Sequence, residues 1–111
     1  MDVHGDSSGH PRRLNESVQL AAYRLVQEGL TNAHKHGNGH ARLATTYDDA
    51  SLTLVIENTT HAPVPDDASA AGFGLLGMRE RVAAAGGTLT TGSDHDGFRI
   101  CATLPTMKDS A

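Results

Sequence analysis

The apolar positions of the chain follow two rhythms. From Asn15 to about His36 the spacing is helical: stepping about 100° per residue, Val18, Ala22, Leu25, Val26, Gly29, Leu30 and Ala33 form one broad stripe. Asn15 or Ser17 can cap the start, and Gly37 and Gly39 stop the helix. The rhythm then changes to alternation. ARLATTY (41–47) and SLTLVIEN (51–58) read as two strands joined by DDA in a hairpin. Leu52, Leu54, Ile56 and Asn58 share one face of the second strand, so the Asn58 amide continues a buried row and needs a hydrogen-bonding partner.

Residues 59–71 (TTHAPVPDDASAA) show no periodicity and read as a loop of the length that usually has a task. GFGLLGMRERVAAAGGTL opens on glycines, becomes helical and stops at Gly86-Gly87. A closing hairpin follows, TLTTGS then GFRICATLP, with Phe98, Ile100, Ala102 and Leu104 on one face. Residues 1–13 read as an extended piece and a loop, and the tail after Pro105 as frayed. The order is helix, two strands, loop, helix, two strands, without the strand–helix–strand alternation of a doubly wound sheet. The expected fold is α/β (α+β): a two-layer sandwich with a mixed, mostly antiparallel sheet and helices on one face. One domain over residues 14–105 is expected, with residues 1–13 ahead of it and 106–111 as a tail.

Composition narrows the possibilities. The 111 residues hold no Trp, and Tyr23, Tyr47, Phe73 and Phe98 are the only aromatics, so the core must be aliphatic. Cys101 stands alone, which rules out an internal disulfide and suits a reducing, cytoplasmic setting. No apolar run approaches ~20 residues, and MDVHGD is not a secretory signal, so no membrane contact is expected of this segment. A net charge of −4 argues against nucleic acid as a direct partner. It does not argue against phosphate, which backbone amides can bind.

Three stretches carry candidate chemistry. In EGLTNAHKHG (28–37), Glu28 and Asn32 lie four apart and Lys35 and His36 follow, so all can face one ligand from the edge of the stripe, at the rim of the core. The neutral amide oxygen of Asn32 suits a Mg²⁺ ion that keeps its water and phosphate ligands. Lys35 is a point charge for phosphate oxygens, and Glu28 can hold a metal-bound water or accept a proton. The plain alternative is a solvated helix edge. In GFGLLG (72–77), glycines ahead of a helix start let backbone N–H groups approach a phosphate, although the spacing matches neither the P-loop nor the dinucleotide fingerprint. Its alternative is a flexible helix start. Asn58 can accept from an exocyclic amine and donate to a ring nitrogen, as an adenine reader would, or else serve as a turn residue. The seven histidines do not build a metal site: His34 and His36 point apart, His36 and His40 straddle a helix stop, and there is no HExxH. Cys101 has no evident base partner and reads as a strand residue.

Taken in order, these stretches resemble the ATP-binding module of the GHKL superfamily. More narrowly, the chain is similar to the catalytic domain of two-component sensor histidine kinases whose partners are LuxR-type response regulators. YRLVQEGLTNAHKHG resembles the N box, LVIENTT stands at the first glycine box, and GFGLLGMRERVAAAGGTL resembles the second glycine box and its helix; the match covers about residues 14–105. The resemblance implies a Bergerat fold, with Asn32 as the Mg²⁺ ligand. Glu28 would position the attacking imidazole or a metal-bound water, and Lys35 and His36 would contact phosphates. Asn58 takes the place of an aspartate that bonds the adenine amine. Gly72, Gly74 and Leu75 would lie along the triphosphate, under residues 59–71 as a lid.

The departures from the family are specific. Asn58-Thr59-Thr60-His61 stands where many relatives have an aspartate followed by glycines, and Phe98 where they often place a threonine. The lid is short and no phenylalanine box is recognisable. Weaker nucleotide binding is therefore expected. Family members carry the accepting histidine on an upstream dimerising hairpin, which residues before 14 cannot form. The expected function is that of the ATP-binding catalytic domain of a protein-histidine kinase. It passes the γ-phosphoryl of ATP to a histidine on a separate dimerisation and phosphoacceptor domain, for relay to a response regulator, and releases ADP. The setting implied is cytoplasmic, including the cytoplasmic part of a membrane-anchored sensor. Isolated, such a domain binds ATP and at most hydrolyses it slowly. The alternatives on the same fold are an anti-sigma-factor serine kinase and a nucleotide-poor interaction module.

Overall fold

Of the two candidate caps, Asn15 takes the role. Its Oδ1 accepts from the Val18 backbone N–H at 2.9 Å, and Ser17 Oγ donates to the same oxygen at 2.8 Å. Helix α1 then runs Glu16–His36, as the apolar spacing indicates. The computed structural model describes residues 2–11, 13–60, 75–93 and 97–106, and the backbone alone at 2–3, 35–39, 59–60 and 93. Strand β1 is Asp2–Ser8, β2 Gly37–Tyr47 and β3 Ser51–Thr60. Helix α2 is Leu75–Ala84, followed by β4 Thr88–Ser93 and β5 Gly97–Pro105.

The five strands form one sheet in the order β1-β2-β3-β5-β4, in which β1 runs parallel to β2 and the other neighbours are antiparallel. The mixed, mostly antiparallel sheet expected from the sequence is thus present. One feature differs: β1, α1 and β2 make a strand–helix–strand unit with parallel strands, which the sequence pattern did not suggest. The reason is that β1 is an exposed edge. DVHGDSS has no apolar alternation, and its residues from His4 to Ser8 are all exposed. Arg42 on β2 reaches Asp6 at 3.5 Å across this edge, a half-exposed pair that adds little stability.

Both helices cover a single face. Leu52, Leu54 and Ile56 of β3 and Phe98, Ile100, Ala102 and Leu104 of β5 are buried, whereas Glu57, Arg99 and Thr103 on the other face are exposed. Val18, Ala21 and Leu25 of α1 and Leu75, Met78 and Val82 of α2 complete the same core. Burying each of the larger side chains contributes about 1.5–3 kcal/mol. The stripe of α1 is turned slightly from the expected one: Ala21 is buried, while Ala22 and Val26 are only partly so. The helix settles on its smallest residues. A Cβ at Gly29 would lie 2.5 Å from Ile56 Cδ1, so the line through Gly29 is the line of closest approach and the bulkier Val26 and Leu30 stand on its flank. Among the described residues, no helix is long and apolar enough to cross a membrane.

The turns carry the signals their residues suggested. Asp48 N–H donates to Ser51 O at 2.9 Å and Ser51 Oγ to Asp48 Oδ2 at 3.1 Å, closing the β2–β3 hairpin. Helix α2 ends with Gly87 N–H donating to Val82 O at 2.8 Å and Gly86 N–H to Ala83 O at 3.0 Å, with Gly86 at φ 87°. This is a Schellman cap, in which only glycine is unstrained at the left-handed position. The strands run further than alternation alone indicated, β2 from Gly37 and β3 to Thr60. Thr59 and Thr60, expected at the start of the loop, close β3 instead, with β-branched side chains suited to a ladder.

Removing the α1 cap tests this account of the helix start. Asn15→Ala is expected to cost about 1 kcal/mol in urea denaturation at unchanged m, and Asn15→Asp to cost almost nothing. Equal losses in both variants would show that the cap does not hold the helix.

Candidate functional site

The sheet register gathers the polar residues at one end. Gly37 of β2 pairs with Thr60 of β3, so the end of α1, which runs straight into Gly37, lies at the C-terminal end of β3. Gly29 rests on Ile56. The turns from Gly29 to His36 therefore lie over β3 from Ile56 towards Thr60. On the other side, Phe98 and Gly97 of β5 pair with Asn58 and Thr59. The end of α2 packs at the far end of the sheet, where a Cβ on Gly87 would collide with the Thr103 carbonyl oxygen and one on Gly86 would meet Pro105 Cγ at 3.4 Å. Midway, Arg79 Nη2 donates to Thr91 Oγ1 at 3.3 Å, level with Ile100. The start of α2 consequently lies back towards the level of Asn58 and Phe98.

Asn32 is 2% exposed, buried as deeply as the aliphatic core. This corrects the expectation that it stands at the rim. The cause is the same rotation of α1 that buries Ala21: Asn32 and Ala33 follow Gly29 down onto the sheet. Glu28, one turn earlier on the same side, is half-buried. Lys35 and His36 continue the helix, and their side chains lie outside the described residues.

Asn58 ends the apolar row of β3 and is 8% exposed. Its cross-strand neighbours are Ala41 on β2 and Phe98 on β5, both buried and apolar. Among the described residues, no group hydrogen-bonds its carboxamide. Its polar atoms are not among the fully buried, unpartnered side-chain atoms of the described residues, so water or a ligand can reach them and satisfy the amide. Leu75 opens α2 with its side chain in the core, so what it can offer a ligand is a backbone N–H. The first four N–H groups of a helix lack intrahelical acceptors and favour anions. Gly72, Gly74 and residues 61–71 of the expected lid lie outside the described residues.

The donor set fits a hard cation in one way only. The Asn32 amide oxygen and the Glu28 carboxylate are oxygen donors one turn apart, which suits a Mg²⁺ ion that takes one or two protein ligands and completes its shell with water and phosphate. Among the described residues, no group of three or more His, Cys, Asp or Glu side chains is placed to hold a metal ion. Two contributors were not visible beforehand. Gly29 is recognisable as a contact residue only once Ile56 is beneath it, and Ala41 only once the register places it beside Asn58. Position 29 had appeared merely as one member of the stripe.

No family model matches the chain. It is 45% identical over 93 residues to the signal transduction histidine-protein kinase/phosphatase UhpB of Salmonella typhimurium, covering 83% of this chain and 18% of that protein. It is 39% identical over 97 residues to the sensor histidine kinase LnrJ of Bacillus subtilis, covering 84% of this chain and 23% of the relative. With the histidine-protein kinase/phosphatase DegS of Brevibacillus brevis it shares 32% identity over 99 residues, covering 87% and 26%. The chain thus spans about a quarter or less of these relatives. Among solved structures, the fold matches the nucleotide-free catalytic domain of the histidine kinase ThkA with a TM-score of 0.74 at 14% identity, covering 95% of this chain and 78% of that one. It matches the blue-light activated histidine kinase EL346 of Erythrobacter litoralis with a TM-score of 0.77 at 18% identity, covering 95% and 35%. Full-length ShkA, solved with AMPPNP, gives a TM-score of 0.74 at 19% identity, covering 99% and 26%.

The unpaired amide yields a stability prediction. Asn58→Leu extends the apolar row Leu52, Leu54, Ile56 and is expected to raise the unfolding free energy by about 1–2 kcal/mol, measured by denaturation without ligand. A loss of stability would show that the Asn58 amide is an internal structural group.

Proposed function

The chain belongs to the sensor histidine kinase family, and on that footing we propose that residues 14–105 form its ATP-binding catalytic unit, with β1 as the parallel edge of the same sheet. The unit uses ATP to phosphorylate a histidine on a separate dimerisation and phosphoacceptor domain, and the phosphoryl group then passes to a response regulator of the LuxR type. Its setting is the cytoplasm, alone or as part of a membrane-anchored sensor. What supports this reading is that two buried amides, Asn32 and Asn58, lie at the same end of an otherwise apolar interface between α1 and the sheet. The nucleotide analogue held by the structurally similar ShkA supports it from outside the chain.

In this reading the base enters beside Asn58, against the apolar side chains of Phe98 and Ala41. The Asn58 carboxamide accepts from the adenine amine and donates to the neighbouring ring nitrogen. The triphosphate passes between α1 and the start of α2, where Gly72, Gly74 and the Leu75 N–H line it, with residues 61–71 as lid. Lys35 and His36 contact phosphate oxygens. Asn32, with Glu28 behind it, would hold Mg²⁺, whose charge neutralises the phosphates. Glu28 orients the incoming imidazole and takes its ring proton as the N–P bond forms and the bond from the γ-phosphorus to the β–γ bridging oxygen breaks. Little covalent work falls to the protein, because phosphoryl transfer is accelerated chiefly by positioning and charge.

Two measurements test the proposal. Millimolar Mg-ATP or Mg-ADP is expected to raise the melting temperature of the chain, in line with mass action. The absence of a shift with either nucleotide would favour a nucleotide-poor interaction module. With an added dimerisation domain from its own full-length protein, the chain should phosphorylate the histidine, and Asn32→Ala should abolish transfer while leaving the fold intact by circular dichroism. Transfer persisting in Asn32→Ala would remove the metal-holding role.

A further inference from the structure

A neutral carboxamide that no group among the described residues holds in one orientation can read two opposite hydrogen-bonding patterns. Asn58 is 8% exposed, and no group among the described residues bonds its side chain. On the buried face its two cross-strand neighbours are Ala41 and Phe98, and the residue two positions earlier is Ile56. Within the sheet its neighbours on this face are thus an alkyl group, an aryl ring and a branched aliphatic side chain, none of which offers a dipole that would distinguish Oδ1 from Nδ2. The terminal torsion of asparagine is broad and roughly two-fold, so the carboxamide can turn over within the same space.

Adenine presents a donor at its 6-amino group and an acceptor at the adjacent ring nitrogen. A 6-oxopurine presents the reverse, an acceptor at its carbonyl oxygen and a donor at the adjacent ring N–H. In one orientation Asn58 accepts from the adenine amine and donates to the ring nitrogen. Turned over, it donates to the 6-oxo group and accepts from the ring N–H, again with two hydrogen bonds. A carboxylate at this position could only accept, and would face the 6-oxo oxygen with like charge. That electrostatic means of excluding oxopurines is missing here.

We propose that this site binds 6-oxopurine nucleoside triphosphates as well as ATP, with Asn58 turning over to match the base. The inference rests on the reading that Asn58 meets the purine edge. Inosine triphosphate is the direct probe, because it differs from ATP in the 6-substituent and the ring proton and lacks the 2-amino group of guanine. GTP then reports only whether the 2-amino group also finds room.

Calorimetric titration of the chain with Mg-ATP and Mg-ITP decides the matter. The expected result is dissociation constants within about threefold of each other, less than the loss that one mismatched bidentate pair produces. In Asn58→Asp, ATP binding should be kept or tightened while ITP weakens about a hundredfold or more relative to ATP. Asn58→Ala should weaken both nucleotides and leave their ratio near the original. ATP binding without ITP binding in the unaltered chain would overturn the inference and leave the nucleotide site standing. So would a ratio unmoved by Asn58→Asp in a folded variant. Binding of neither nucleotide would instead overturn the nucleotide reading, and this inference with it.

Discussion

The missing side chain at Gly29 decides how α1 meets the sheet. Its Cα face lies against Ile56, where even a methyl group would stand 2.5 Å from Cδ1. This contact fixes the rotation of the helix about its own axis, and everything on the following turns inherits that rotation. Asn32 and Ala33 are carried down onto the sheet, Glu28 is left half-buried beside them, and Leu30 stands on the flank. Had position 29 carried a bulky residue, the helix would have rolled or lifted, and the amide of Asn32 would have moved with it. Packed interiors leave little room for compromise between such placements.

The same end of the molecule departs from its own rules of construction. Two buried lines are apolar until their last member: Leu52, Leu54 and Ile56 of β3 lead to Asn58, and Val18, Ala21, Leu25 and Gly29 of α1 lead to Asn32. Both polar members are internal liabilities for stability, since a buried amide must recover the hydrogen bonds it had in water. Two of them stand at corresponding ends of a helix and a strand, where the apolar interface between α1 and the sheet gives out. A single buried asparagine would carry less weight. Local inconsistency with a stable core is where functional sites are expected.

Much of this was legible in the sequence, and the parts that were not share a cause. Local signals worked: the Asn15 cap, the Gly86-Gly87 stop, the Asp48–Ser51 turn and the alternation of β3 and β5 all act within a few residues. The polar β1 could not be recognised as a parallel partner, because an exposed edge strand leaves no period in its side chains. The rotation of α1 was also hidden, since it depends on Ile56, which is distant in sequence. The pairing of Asn58 with Ala41 and Phe98 required the register. The residues of the candidate site were nameable from type and spacing, but their burial was not: Asn32 reads as a rim residue by the helical wheel and becomes a core residue through tertiary packing. Whether Gly72 and Gly74 join them lies outside the described residues.

One irregularity of the sheet falls at this end as well. Opposite β3, the register of β2 shifts between Gly37 and Ala41: Ala41 pairs with Asn58 and Gly37 with Thr60, so between these pairs one residue of β3 faces three of β2. The surplus backbone comes from Asn38, Gly39 and His40, directly beside Asn58. Bulges interrupt the ladder, increase the local twist and re-aim neighbouring side chains, and they cluster near binding sites for that reason. The opposite end is regular, closed by a short hairpin turn and a Schellman cap with its hydrogen bonds complete. The irregularity is confined to the β2 side, because the β3–β5 ladder continues unbroken through Asn58 with Phe98 and Thr59 with Gly97, so Asn58 is held in register from one side and set beside surplus backbone on the other.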